Sequence, residues 1–382
     1  MKRIVALVLA AMLLLAMPII GSADSETIRI GGLAPLTGNV AVYGVATQRG
    51  VDLYVEQINA AGGVLGKQVE MVWYDEKGDA AEAVNAYNRL VGDVVALIGD
   101  VTSKPTIAVA ELAALDNMPM ISATATAYDV TTPGENIFRA CFLDPYQGNT
   151  MAVYATQKLG KKNAAVIYNI ADDYSTGLAE SFKSKFEELG GTVVAYEAYG
   201  ASDIDFKSQL TNIASKNPDV IFMPDYYNIV AMIAKQAREA GLDMTFLGAD
   251  GWDGLLTVVD DPSILDGCYF CNHYSTDDPD ENVQNFLASY TEKYNETPVS
   301  FSALGYDAAK ILFTAIENAG STDAQAIVDA MAATDIDGVT GHIIYDEHRD
   351  PQKDVAMITF EGGEMKLVEK FNPELETETA AE

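Results

Sequence analysis

The chain has 382 residues, 49% of them hydrophobic, with 24 Lys and Arg against 56 Asp and Glu and a net charge of −32. At roughly 100–200 residues per domain this length suggests two domains, each with its own core, and the composition excludes a disordered, collagen-like or disulfide-dense chain. A nucleic-acid binder needs a basic footprint, and attachment to an anionic membrane needs basic segments, so neither partner fits.

Residues 1–23 read as a secretory signal. Lys2 and Arg3 precede an uncharged apolar run from Ile4 to Ile20, broken at Pro18. Gly21-Ser22-Ala23 places small residues before a cut ahead of Asp24. The run is slightly short of the about 20 residues that cross a bilayer. No Cys follows it, so the usual lipoprotein attachment point is missing and a soluble exported chain is expected. Loss of Lys2 and Arg3 leaves the mature chain near −34.

Strands and helices then alternate. Thr27–Leu33 predicts a strand ending at the turn Pro35-Leu36-Thr37-Gly38. Val51, Tyr54, Val55 and Ile58 mark a helix that stops at Gly62-Gly63. Val69–Tyr74 is a strand. Residues 79–91 form a helix capped by Asp79. Val94–Ile98 is a strand, Ser103–Leu115 a helix with Pro105 in its first turn, and Met120–Ser122 a short strand. A second series begins with a helix from Asp144, as its cap, to Leu159. It continues with a strand at Ala164–Tyr168, a helix bearing Leu178, Phe182, Phe186 and Leu189, and a strand at Thr192–Tyr196. A helix at Phe206–Ser215, a strand at Val220–Met223, a helix at Tyr227–Ala240 and a strand at Thr245–Leu247 follow. Such alternation predicts parallel sheets with helices on both faces. The two series share an order, so a pair of related α/β lobes is expected.

The last third departs from the pattern. It reads as helices at Asn282–Tyr294, Ser302–Ala319 and Asp323–Met331, then strands at His342–Tyr345, Val355–Phe360 and Met365–Phe371. This is too little sheet for a third domain. It is expected to complete the two lobes, with the chain crossing between them several times. The acidic tail at 373–382 is expected to be disordered.

The three Cys are Cys141, Cys268 and Cys271. Cys268 and Cys271 have CxxC spacing, but 267–274 reads as a strand. Positions i and i+3 then face opposite ways, roughly 10 Å apart, which is too far for a disulfide. Buried free thiols are expected. His273, His342 and His348 offer no metal-ligand spacing, so neither a metal nor a cofactor is expected.

No G-x-S-x-G, Walker A, H-E-x-x-H or G-x-G-x-x-G element appears in the expected context. Instead, polar residues fall where predicted strands end, the edge at which open α/β sheets bind ligands. Thr102-Ser103 opens a helix whose free N–H groups suit an anion. Ser122-Ala123-Thr124-Ala125-Thr126 follows the next strand. Asp172-Asp173-Tyr174, Asp225-Tyr226-Tyr227 and Asp250-Gly251-Trp252 follow strands of the second series. Each alone also reads as a capped loop. All five on one kind of edge point to a site.

Three segments carry a resemblance. They are Ile30-Gly31-Gly32-Leu33-Ala34-Pro35-Leu36-Thr37-Gly38, Tyr43-Gly44, and Ile58-Asn59-Ala60-Ala61-Gly62-Gly63-Val64-Leu65-Gly66, joined further on by Asp225-Tyr226-Tyr227 and Gly305-Tyr306-Asp307-Ala308. From about Thr27 to Phe371 the chain resembles the periplasmic branched-chain amino acid binding proteins of ABC transporters. The resemblance implies two doubly wound lobes joined by three hinge crossings that close on a ligand. It also implies a first lobe of 24–143 plus 275–350 and a second of 144–274 plus 351–372. Ser103 looks like the serine on the ligand carboxylate. Thr124, Ala125 and Thr126 look like the small-residue loop that contacts both ends of the amino acid. Tyr174 and Tyr226 look like second-lobe aromatics and Tyr43 like the aromatic at the pocket edge. Asp250 looks like the acid that pairs with the ammonium, where other members carry Glu. Trp252 beside it is expected to reshape the side-chain pocket.

These residues suit a zwitterion on chemical grounds too: Ser103, Thr126 and a helix N-terminus for its carboxylate, Asp250 for its ammonium. The expectation is an exported, periplasmic, non-enzymatic monomer that passes an apolar amino acid to an ABC permease. Two alternatives remain at this level. The same fold could take an amide, urea or aromatic acid, none of which needs Asp250, or it could serve a receptor as a sensor. An enzyme would need an acid/base or nucleophile constellation that the predicted cleft lacks.

Overall fold

The computed structural model describes residues 27–373; the secretory signal read over 1–23 and the tail beyond 373 lie outside the described residues. Two sheets organise the chain. The first has five parallel strands in the order β2-β1-β3-β4-β5, namely β1 Ile28–Ala34, β2 Val69–Asp75, β3 Leu97–Ile98, β4 Met120–Ser122 and β5 Ile137–Arg139. The second runs β14-β13-β10-β9-β8-β6-β7. Its parallel part is β6 Asn163–Asn169, β7 Thr192–Tyr199, β8 Val220–Phe222, β9 Thr245–Gly248 and β10 Tyr269–Asn272. Its antiparallel edge is β13 Val355–Glu361 and β14 Glu364–Phe371. β11 Asp335–Gly338 and β12 Gly341–Ile344 form a separate hairpin.

Helices cover both faces of each sheet because strand side chains alternate faces. In β1, Ile28 and Ile30 turn toward α1 (Ala41–Ala60), α9 (Ser300–Ala319) and α10 (Ala324–Ala332). Leu33 turns the other way, toward α2 (Ala80–Leu90) and α3 (Ser103–Leu115). In the second lobe Ala164 and Val166 pack against α4 (Asp144–Val153) and α5 (Asp173–Glu188). Ala165 and Ile167 pack against α6 (Lys207–Lys216) and α7 (Tyr227–Glu239). α8 (Glu281–Tyr294) lies against the α1–α9 side of the first lobe. α1 and α9 cross in close contact at two glycines. A Cβ on Gly50 would stand 1.9 Å from the Ser302 carbonyl oxygen, and one on Gly305 2.4 Å from that of Thr47. Each turns a helix surface into a groove for the other's backbone. Among the described residues no helix is long and apolar enough to cross a membrane.

The chain passes between lobes after β5, after β10 and before β13. Buried charges fasten these crossings. Arg139 pairs with Asp350 at 2.7 Å, both side chains being almost wholly buried. Its guanidinium also donates to the carbonyls of Ala125 and Ala127. Lys353 donates to Ala140 O and Thr340 Oγ1, and burial brings its amine down to about 8. Asp307 on α9 accepts from Val339 N–H and from the N–H and hydroxyl of Thr340.

Three local expectations change. Asp144 is the first residue of α4, not its cap, and its carboxyl is buried; that helix ends in a π-turn at Tyr154–Lys158. The strand expected over 94–98 narrows to Leu97–Ile98. β5 and β11 are strands that the periodicity does not reveal, because three or four residues carry no measurable alternation.

Beneath β1 and β3, Glu76 and Asp100 form a buried acid pair. Glu76 Oε2 accepts from Gly78 N–H and Asp79 N–H, and Asp100 Oδ1 from Val101 N–H. Burial pushes Glu76 up to about 7, and burial together with the neighbouring Glu76 charge holds Asp100 well above its ordinary range. A proton is therefore held by the pair at neutral pH. Its stabilising effect is complete below the ordinary Glu range and is lost as pH rises through about 7. Thermal melts from pH 5 to 8 will show a falling midpoint for the native chain and a shallower fall for Glu76→Gln.

Candidate functional site

The carboxyl ends of both sheets face one another. Between them is a small, narrow cavity. Val101, Thr102, Ser103, Thr124, Thr126 and Phe301 line it from the first lobe, and Tyr174, Tyr226, Asp250 and Gly251 from the second. A larger groove is lined by the β11–β12 hairpin, the start of α8, the start of β13 and the crossing residues His273 and Lys353.

On the first lobe, β3 leads into α3. Thr102 is the flanking cap position, without a side-chain cap bond, and Ser103 is the first helical residue. The first-turn N–H groups of a helix have no intrahelical acceptor, and they carry the positive end of the helix dipole. The loop after β4 lies beside them. Thr124 donates to Val101 O, Ser122 Oγ accepts from Ala125 N–H, and Ser103 Oγ accepts from Ala127 N–H. Arg139 draws the Ala125 and Ala127 carbonyls to its own side. This wall therefore offers the Ser103 hydroxyl and helix-end N–H groups, donors that suit an anion.

On the second lobe, Asp250 opens a short 3₁₀ turn after β9. Its Oδ1 accepts from Tyr174 OH at 2.8 Å and Gln147 Nε2 at 3.0 Å, and Oδ2 meets His273 Nε2 at 3.1 Å. Gln147 Oε1 returns a bond by accepting Asp250 N–H, and Tyr174 OH accepts Gly251 N–H. Gly251 has to be glycine here, since a Cβ would stand 2.6 Å from the Tyr174 hydroxyl. Burial and then the charge of Asp250 push Asp144 well up, which keeps that neighbouring carboxyl protonated. Burial likewise raises the Tyr174 and Tyr226 hydroxyls, so they remain donors.

Aromatic rings close the remaining sides. Tyr43 stacks on Phe301 with centroids 3.9 Å apart, and Tyr174 stacks on Tyr226 at 4.9 Å. Tyr43 also stitches the lobes, its hydroxyl donating to Gly251 O and accepting from Tyr227 N–H. Tyr227 OH donates to Asn39 O, and Lys104 Nζ to Ala171 O. The cleft is held closed by these bonds.

Of the residues expected at the site, Ser103, Thr124, Thr126, Tyr174, Tyr226 and Asp250 line the cavity. Three stand apart from it. Tyr43 lies just behind, against Phe301. Ala125 is buried with its carbonyl on Arg139. Trp252 turns away from the cleft altogether, donating to Met223 O and packing near Phe270 and Phe360 in the second-lobe core. It shapes no side-chain pocket. Phe301 takes the place by the cavity. Phe301, Gln147 and His273 are missed by sequence reasoning: their partners lie 258, 103 and 23 positions away, beyond any local pattern. The three Cys are free and buried, as the strand geometry implied.

Comparison with known proteins follows the same lines. A family model described as periplasmic binding protein matches residues 27–364. The Leu/Ile/Val-binding protein homolog 3 of Brucella melitensis is 32% identical over 86% of this chain and 90% of its own length. Among solved structures, the branched-chain amino acid substrate-binding protein LivJ of Streptococcus pneumoniae, in complex with isoleucine, is 34% identical. It superposes with a TM-score of 0.86 over 91% of this chain and 99% of its own. The leucine-binding protein LivK of Thermotoga maritima is 33% identical, with a TM-score of 0.85 over the same shares.

The placement of Trp252 has a measurable consequence. Trp252→Phe removes buried volume and the bond to Met223 O, which should cost about 2–3 kcal/mol of stability in urea unfolding. Ligand affinity measured by calorimetry should stay the same.

Proposed function

The chain belongs to the periplasmic binding protein family, and we propose that it is an exported solute-binding protein that captures an apolar amino acid, branched-chain by preference, between its lobes. It hands the amino acid to an ABC permease. The observation that carries this reading is the opposition of two charges of the right sign in one cavity. The α3 N-terminus with Ser103 lies on one wall and Asp250 on the other. A zwitterion's carboxylate and ammonium would each find its complement, and the ligand would bridge the lobes. A ligand that touches both lobes only when they are closed shifts the equilibrium toward closure by that differential contact. Val101, Phe301 and Tyr226 are the lining residues suited to an apolar side chain. The names of the relatives, and the isoleucine held by the LivJ relative, support the same class.

The chemistry of the site supports binding without turnover. Burial pushes the Cys141 thiol up to about 12 and raises those of Cys268 and Cys271, so none is a ready nucleophile. Export is supported by the basic and apolar make-up of residues 1–23.

A thermal-shift screen of the mature chain against the amino acids and small carboxylates tests the reading. Apolar amino acids should raise the melting temperature by mass action. Asp250→Ala should then lose about a hundredfold in affinity, roughly 2.7 kcal/mol, in calorimetry. Undiminished amino acid binding by Asp250→Ala would contradict the role of that carboxylate.

A further inference from the structure

His273 is a buried titratable group with no part in the lining of the cavity. It follows β10, on the second crossing. Its backbone is fixed by a bond from its N–H to Asn272 Oδ1, and its ring stacks on Phe142 of the first crossing with centroids 3.7 Å apart. Nε2 stands 3.1 Å from Asp250 Oδ2, with both side chains almost wholly buried. Since the carboxylate accepts, Nε2 carries the proton. Nδ1 is buried and has no hydrogen-bond partner among the described residues. One ring therefore joins the ligand-facing carboxylate to two of the three crossings.

We propose that His273 is a positioning residue for the ligand's cationic group: as a neutral Nε2–H donor it aims the Asp250 carboxylate into the cavity, and as an imidazolium it pairs with that carboxylate and releases the ligand. This rests on the amino acid reading above. The charge logic is local. The neutral ring occupies one lone pair of Oδ2 without cancelling the carboxylate's charge. A protonated ring cancels that charge and places a positive group beside the incoming ammonium. It would also leave an Nδ1–H buried without an acceptor.

The groups facing His273 set the range. Burial lowers its basicity, Asp250 and then Asp253 raise it, and Lys353 of the third crossing lowers it. Asp144 on α4 stands behind Asp250 and is itself pushed up by burial and Asp250. Asp278 and Lys370, in the groove behind the ring, pair with each other at 2.7 Å. Burial dominates, so the ring is neutral at pH 7 and protonates below its ordinary range.

The test is L-isoleucine calorimetry as a function of pH on the native chain, His273→Gln and His273→Phe. Native affinity should be constant above pH 7 and fall at least about threefold by pH 5. Gln keeps a donor and cannot titrate, so His273→Gln should hold native affinity at pH 7.5 and lose most of that fall. Phe keeps the ring stack without the donor, so His273→Phe should bind about tenfold more weakly at pH 7.5. Identical acid limbs in the native chain and His273→Gln would overturn the proposal, as would undiminished binding by His273→Phe.

Should the variants not fold, imidazole nitrogen NMR on the native chain decides. An Nε2–H tautomer whose protonation moves to lower pH on adding isoleucine supports the proposal. An Nδ1–H tautomer, or a titration that isoleucine leaves unmoved, overturns it. Failure of the native chain to bind any amino acid at any pH would instead remove the amino acid reading. The tautomer would then still decide whether His273 serves Asp250.

Discussion

A carboxylate buried between two lobes must be supplied with donors, and much of this structure is arranged to supply Asp250. Tyr174 comes from α5, Gln147 from α4 and His273 from the second crossing. The Asp250 backbone is held as well, its N–H bound by the Gln147 carbonyl oxygen. Without such partners, burying the charge would cost several kcal/mol. With them the carboxylate is rigid, and it presents negative potential to a cavity whose opposite wall is a helix N-terminus. The cleft thereby acquires a polarity before any ligand arrives, and the proposed zwitterion reading rests on that polarity.

The same economy of charge holds elsewhere. The chain is strongly acidic, yet among the described residues the two buried Lys and Arg side chains, Arg139 and Lys353, both sit where the lobes are joined. Arg139 shapes the loop after β4 by gathering its carbonyls, and through Asp350 it ties that loop to the third crossing. Several buried acids are not paired with cations and are held toward their protonated forms, Asp225 up to about 7 by burial and by Asp172. The negative excess is therefore expressed mainly on exposed helix faces, where it favours solubility and keeps copies apart.

The lobes were legible in the sequence because strands and helices alternate in the same order in both series, with apolar stripes on helices such as α5. The gathering of Ser103, Thr124, Thr126, Tyr174, Tyr226 and Asp250 at one cavity was legible too, since polar clusters at strand ends need only the order of elements to be placed on one edge. Reading failed where a decision depends on direction or distance. Asp144 reads as a helix cap and Trp252 as a site residue, but one starts its helix without capping it and the other swings into the core. A single residue separates Asp250 from Trp252, yet in the tight turn one side chain meets Tyr174 and Gln147 at the cavity and the other packs into the core. Phe301, Gln147 and His273 reach the site across long stretches of chain. No periodicity encodes such pairings; packing of α9 on α1 and of α4 on the second sheet creates them.

The central claim is that one negative charge facing a helix N-terminus reads a zwitterion. Calorimetry of the mature chain with L-isoleucine and with 3-methylpentanoate, the same acid without its amino group, tests it most directly. The account predicts that isoleucine binds and that 3-methylpentanoate binds at least about a hundredfold more weakly. Equal affinity for the two would show that the Asp250 carboxylate does not read the ammonium, and would contradict the account.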